Sequence, residues 1–361
     1  MPEVNDLPRA NGVSRGVAIT PRSCAVCLVL GCLVALGPAH AAAQTVANMY
    51  DRAVVAREQA RLASRVNEVW IKAFKPNLTP DEQRALSGVT FDTRLDGDPV
   101  LGYYSKSSSR VVTMPAVSLL FFEDLCVAYA WLQHRGYRLE TIEEYVTMLK
   151  YKDPAAFGGR YPPPLKALGI PSDALTDPGV NDLSLRLRNT GYAFILGHEL
   201  GHIRFQHAGY DGVPVAVAQA SETQADQFGL ELMRRVSEIP MGALIFFQTG
   251  IFYFDNRADY PSDAAWQAYL SKEATHPLTA PRLQALSSRV SALADDFARG
   301  QPNRAAAIET IRLIGDRFAE FAKFLDDPTL QRVMRAKAER SAPATLLPRR
   351  ERETITNFPV R

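Results

Sequence analysis

His198-Glu199-Leu200-Gly201-His202 lies inside an apolar run of helical period, and no other feature of the 361-residue chain constrains its architecture as much. Two histidines four positions apart on a helix stand on one face, so both imidazoles can reach a single metal ion. The same stripe carries Phe194, Gly197, Gly201 and Phe205, and its two glycines allow another helix or a ligand to come close. Neutral imidazole nitrogen suits zinc, and a tetrahedral site that keeps one position open for water takes three protein ligands. The third ligand must then come from a different helix. Glu222 and Asp226 stand at i and i+4 on one face of a second helical run, and Gly209, Gly212 and Pro214 supply the break that lets it return antiparallel. The spacing predicts ligation of one Zn2+ per chain by His198, His202 and Glu222, with Asp226 accepting the free ring N–H of a ligating histidine. Glu199 lies beside the first histidine and is not placed to ligate. It is the expected general base toward a metal-activated water, the chemistry of amide hydrolysis.

Lys and Arg number 41 against 39 Asp and Glu, a formal charge of +2, so the chain lacks the basic field with which nucleic-acid binders neutralise phosphates. A protein or peptide is the expected partner. The uncharged run 24–37 follows Arg9, Arg15 and Arg22 and precedes the small residues Ala39 to Ala43. At 14 residues it is short of the roughly 18 a membrane span needs, and it reads as the core of a signal peptide over 1–43, with a short anchored helix as the alternative. The expected destination is the periplasm or the exterior. Cys126 would then be the sole cysteine of the mature chain, a small buried hydrophobe with no disulfide partner.

From 44 to 340 the pattern is that of a mainly helical α+β domain. Helical period runs over 46–74, 118–135, 139–151, 183–207, 215–237, 240–254, 283–299 and 304–324. The very apolar 240–254 is too short to cross a bilayer, so no integral membrane span is expected in the mature chain. Three β-like runs at 89–95, 100–104 and 110–114 predict a small antiparallel sheet or hairpin. The last is a candidate edge strand for an extended peptide, which would bind by adding a strand. The Gly- and Pro-rich 153–182 is a long loop, either a wall of the cleft or a passive connection. Glu123 and Asp124 read as a solvated face. His134 and His207 read as surface residues, the latter because a continuing helix would carry it about 140° around from His202. From 341 to 361 the chain reads as a flexible tail.

The order HELGH, then Glu222-x-x-Ala225-Asp226, then Thr275-His276-Pro277 with Arg282 six residues beyond the histidine, resembles the gluzincin metallopeptidases of the CAAX prenyl protease and HtpX type. The resemblance spans about 183–286. It implies a zincin-like fold and a zinc endopeptidase with ligands His198, His202 and Glu222, base Glu199, and a His-Pro/Arg element beside the site. In that element His276 could donate to a developing oxyanion, fill the open zinc position of a latent state, or only begin a helix. Arg282 could fix the loop or bind a substrate carboxylate. The chain departs from the integral-membrane members in lacking their multiple spans, and no Asn-Ala strand motif precedes the zinc helix. The implied activity is hydrolysis of peptide bonds in extended or unfolded segments within the cell envelope. The alternative is a latent zincin-like protein that binds or chaperones clients.

Overall fold

The computed structural model describes residues 48–208, 213–272 and 278–341. The expectations for 1–43, for His276 and for the tail beyond 341 therefore lie outside the described residues. An amphipathic helix α1 (Arg52–Glu68) runs through a π-helical turn to Phe74 and is followed by the capped short helix α2 (Pro80–Ala85). Three strands come next, β1 (Thr90–Asp92), β2 (Tyr104–Lys106) and β3 (Val111–Thr113). The remainder is helical: α3 (Ala116–His134), α4 (Glu140–Tyr151), α5 (Pro164–Ala167), α6 (Pro178–Arg204), α7 (Val215–Arg235) and α8 (Met241–Tyr253). Then follow α9 (Asp263–Lys272), α10 (Ala280–Ala292), α11 (Ala294–Phe297), α12 (Arg304–Asp326) and α13 (Pro328–Arg340). The class is mainly helical with one small sheet.

That sheet is mixed rather than antiparallel: its order is β1-β3-β2, with β1 parallel and β2 antiparallel to β3. The Asp98 carboxylate accepts the Val100 N–H, and Leu101 adopts a left-handed φ of 59°, so the run 100–104 turns before it extends. Strand β2 consequently takes in Ser105 and Lys106, beyond the end of the β-like run 100–104. The candidate edge strand 110–114 is in fact the centre of the sheet, where Val112 and Thr113 are buried, and the edges are β1 and β2.

The central element is α6. Asp177 caps its first N–H groups and Pro178 occupies its first turn, so it begins five residues before the expected 183. Two neighbours approach it where side chains are smallest. A Cβ built on Gly197 would lie 2.9 Å from the Gly229 Cα of α7, and one on Gly242 of α8 would lie 2.1 Å from the Gly191 N of α6. Among the described residues α3 is the helix long and apolar enough to cross a membrane, but its faces are packed inside the protein and Cys126 is fully buried on it. The segment 153–182 is a structured connection, with Leu168, Ile170 and Ala174 buried and its short helices packed on α3 and α6.

Glu123 and Asp124 are not a solvated face. Glu123 is buried between α1 and α6, where Arg61 donates to both its oxygens at 3.0 and 2.6 Å and the Tyr192 hydroxyl lies at 3.1 Å. The amphipathic pattern of α3 could not show that two basic helices flank it. Asp124 accepts the Tyr50 hydroxyl at 2.7 Å. Burial pushes the Asp124 carboxyl from 3.8 up to about 7, against the Tyr50 hydrogen bond, with Glu123 nearby adding to the rise. A raised folded-state value means that its stabilising contribution is complete below the ordinary 3.8 and is lost as pH rises through 7. Asp124→Asn, which keeps an acceptor for Tyr50 and carries no charge, is therefore expected to raise the melting temperature by a few degrees at pH 8 and by less at pH 5. A gain that is equal at both pH values, or larger at pH 5, would contradict this assignment.

Candidate metal centre

The close crossing of α6 and α7 assembles the site. Besides the Gly197–Gly229 approach, a Cβ on Gly201 would stand 2.9 Å from the Ala225 Cα, so the two helix axes meet at the level of the histidines. His198, Glu199 and His202 from α6 and Glu222 and Asp226 from α7 are all buried there. The two Nε2 atoms of His198 and His202 are 3.1 Å apart, and each lies 3.6 Å from a Glu222 carboxylate oxygen. Four ligands at about 2.0–2.1 Å in a tetrahedron would be separated by about 3.3 Å. The three side chains converge accordingly and can hold a metal ion.

Asp226 is 2.9 Å from the His198 Nδ1, which leaves Nε2 to face the ion position. Arg282, in the first turn of α10, grips Asp226 through Nε at 2.6 Å and Nη2 at 2.9 Å, and the same Nη2 lies 3.0 Å from the Glu222 carboxylate. Its guanidinium is buried over the Phe247 ring. Arg282 thus stands beside the site and anchors the carboxylates of α7. Burial pushes the Asp226 carboxyl up, but the Arg282 charge and hydrogen bonds hold it below the usual carboxylate range. Burial pushes the His198 imidazole down, and the hydrogen bond to Asp226 together with the Glu222 charge outweighs that and raises it.

His207 is where the surface reading fails. Helix α6 ends at Arg204, and Gln206 takes a left-handed φ of 55°. The His207 N–H donates to the His202 carbonyl at 2.9 Å and the Gln206 N–H to the Ile203 carbonyl at 3.2 Å, the pairing of a Schellman closure. Such a closure returns the residue after the left-handed position to the last turn of the helix. The half-buried His207 ring therefore sits with Nδ1 2.9 Å from the His202 Nδ1, and its Nε2 is 2.9 Å from the Gln224 Oε1. The usual signal, a glycine at the left-handed position, is missing because Gln206 stands there. His134 is exposed and pairs with Asp177 at 3.4 Å, at the far end of α6.

Glu199 faces a cleft of about 770 Å³, and the opposite wall is β2 with Ser107, Ser108 and Arg110. The Ser107 hydroxyl donates to the His202 carbonyl at 3.1 Å, which ties the β2–β3 turn to the metal-site helix. No residue of 153–182 lines this cleft. Compared with protein-family models, curated proteins and solved structures, the chain finds no match.

Elemental analysis of the purified chain after exposure to divalent metal is expected to give about one ion per chain, as one three-ligand site requires. His198→Ala and Glu222→Ala should each lose it while the chain stays folded. A folded wild type that takes up none would refute the centre. Gly197→Ala leaves every donor atom in place but drives a methyl group into Gly229, so it should cost about 1–3 kcal/mol of stability by overpacking and weaken metal uptake as well. Unaltered melting and uptake in this variant would mean that the crossing does not set the donor spacing.

Proposed function

We propose that this chain is a zinc metalloendopeptidase of zincin-like fold, acting on extended or unfolded protein segments in the periplasm or outside the cell. The observation that carries the reading is the buried His198, His202 and Glu222 group beside a cleft that is also lined by Glu199 and by β2, an edge strand of the sheet. Two imidazoles and one carboxylate are a donor set that suits zinc, with three protein ligands and a fourth position available to water. The ordered motifs shared with the CAAX prenyl protease and HtpX type of gluzincin support the same assignment, and the apolar run 24–37 supports export.

Bound zinc would supply Lewis acidity, lowering the pKa of water from 15.7 to about 7 and polarising the carbonyl under attack. The rest of the chemistry falls to the chain itself. The edge of β2 presents main-chain groups to which an extended peptide can add as a further strand, in register with the helix that Ser107 tethers. Glu199 lies on the cleft side of α6, one residue from a ligand. Its carboxylate takes the proton of the attacking water as the new C–O bond forms, and passes it to the amide nitrogen as the C–N bond breaks. The products are a carboxylate and an amine, and no other reactant is consumed. Asp226 and Arg282 stay out of the proton path and keep His198 and Glu222 aimed.

With a reduced, unfolded protein as substrate and peptides read by mass spectrometry, the zinc-loaded chain is expected to generate internal cleavages. Glu199→Gln should keep its zinc and lose about 10²–10⁴-fold in rate, the usual worth of a general base. Equal rates in the two would remove Glu199 from the chemistry. Zinc-loaded wild type that binds unfolded chains without cutting them would favour the client-binding alternative.

A further inference from the structure

We infer that His207 is a positioning residue for the metal centre, locking His202 in its ligating tautomer as Asp226 does for His198; the inference rests on the metal centre proposed above. The argument is an accounting of protons. His202 turns Nε2 toward His198 and Glu222, and that nitrogen must be bare to bind an ion. A neutral imidazole has one N–H, so the proton of His202 is on Nδ1. The atom 2.9 Å away is the Nδ1 of His207, which must then be the bare acceptor, with its own proton on Nε2. That second N–H points at the Gln224 Oε1, 2.9 Å away, an amide oxygen that only accepts. Two hydrogen bonds in series, His202 to His207 and His207 to Gln224, are each supplied with one proton. The opposite arrangement, with the proton on the Nδ1 of His207, would leave His202 protonated on Nε2 and unable to ligate.

The placement of the His207 ring is over-determined. The left-handed turn at Gln206 brings it back to the last turn of α6, its backbone N–H is fixed by the His202 carbonyl, and its ring stacks on Phe205 with centroids 5.7 Å apart. A left-handed non-glycine residue is disfavoured, and the closure and the ring contacts offset that cost. The two ligand histidines are thus held by different chemistry. His198 leans on a buried carboxylate that a guanidinium grips, and His202 on a half-buried neutral imidazole whose orientation is set by an exposed amide.

Zinc affinity, measured by competition with a chromophoric chelator, tests this without reference to activity. His207→Phe keeps the ring stack on Phe205 and removes the acceptor, and is expected to weaken zinc 10–100-fold, about the usual cost of losing an outer partner of a ligating histidine. His207→Asn puts Oδ1 where Nδ1 stood and should return the affinity to within about threefold of wild type. Long-range 1H–15N spectra of the wild-type chain should show His202 protonated on Nδ1 and His207 on Nε2. Unchanged affinity in His207→Phe, no rescue in His207→Asn, or a His207 proton on Nδ1 would each overturn the inference while leaving the zinc site standing. Wild type that takes up no zinc would bring down the metal centre itself and the inference with it.

Discussion

The contact on which the site depends is the approach of two helix backbones with no side chain between them. Where α6 and α7 meet, Gly197 opposes Gly229 and Gly201 opposes Ala225, so the axes come closer than any pair of larger residues would permit. A carboxylate on α7 is too short to reach the histidines of α6 across an ordinary leucine-packed crossing. Here Glu222 stands 3.6 Å from both Nε2 atoms. On the opposite side of α6 the Gly242 and Gly191 contact with α8 prevents the helix from relaxing away. The donor spacing is thus a property of packing, set before any ion is considered.

The same closeness brings several carboxylates together, and the surrounding residues answer it. Buried charges are costly unless paired. Glu199, Glu222 and Asp226 bring three carboxylates into one buried cluster, and among the described residues Arg282 is the guanidinium that pairs with it. Arg282 is consequently no accessory. It approaches from α10, bonds Asp226 through two nitrogens, and reaches Glu222 with one of them, so the negative charge of α7 is held in place by a third helix.

The helical period made much of this legible: residues at i and i+4 share a face, which brings His198 to His202 and Glu222 to Asp226 whatever the rest of the chain does. Period says nothing about what lies across a gap. Arg282 is 56 positions from Asp226, and its partner could not be read from spacing. The sheet failed for a related reason, because strands of three residues carry almost no alternation, and the turn at Asp98 to Leu101 that makes β1 and β3 parallel rests on one side-chain hydrogen bond and one left-handed residue. The pattern of α3 alone makes Glu123 a solvated residue, whereas Arg61 and Arg188 pair with it from the helices on either side. His207 was misplaced because a glutamine, not a glycine, takes the left-handed position that ends α6.

The end of α6 then joins the two halves of the site. A single carbonyl, that of His202, accepts the His207 N–H of the helix closure and the Ser107 hydroxyl of the β2–β3 turn. The ring that faces the ion, the neighbour that orients that ring, and the strand edge that borders the cleft are therefore fixed to one backbone group. A displacement of β2 would reach His202 through one hydrogen bond, and Glu199, three residues earlier on the same helix, would move with it. These two hydrogen bonds hold Glu199, His202 and the edge of β2 in a common frame. At the rim of the cleft Lys106 and Arg110 are exposed and, among the described residues, β2 pairs with β3, so the rim is separate from the buried residues that can hold a metal ion.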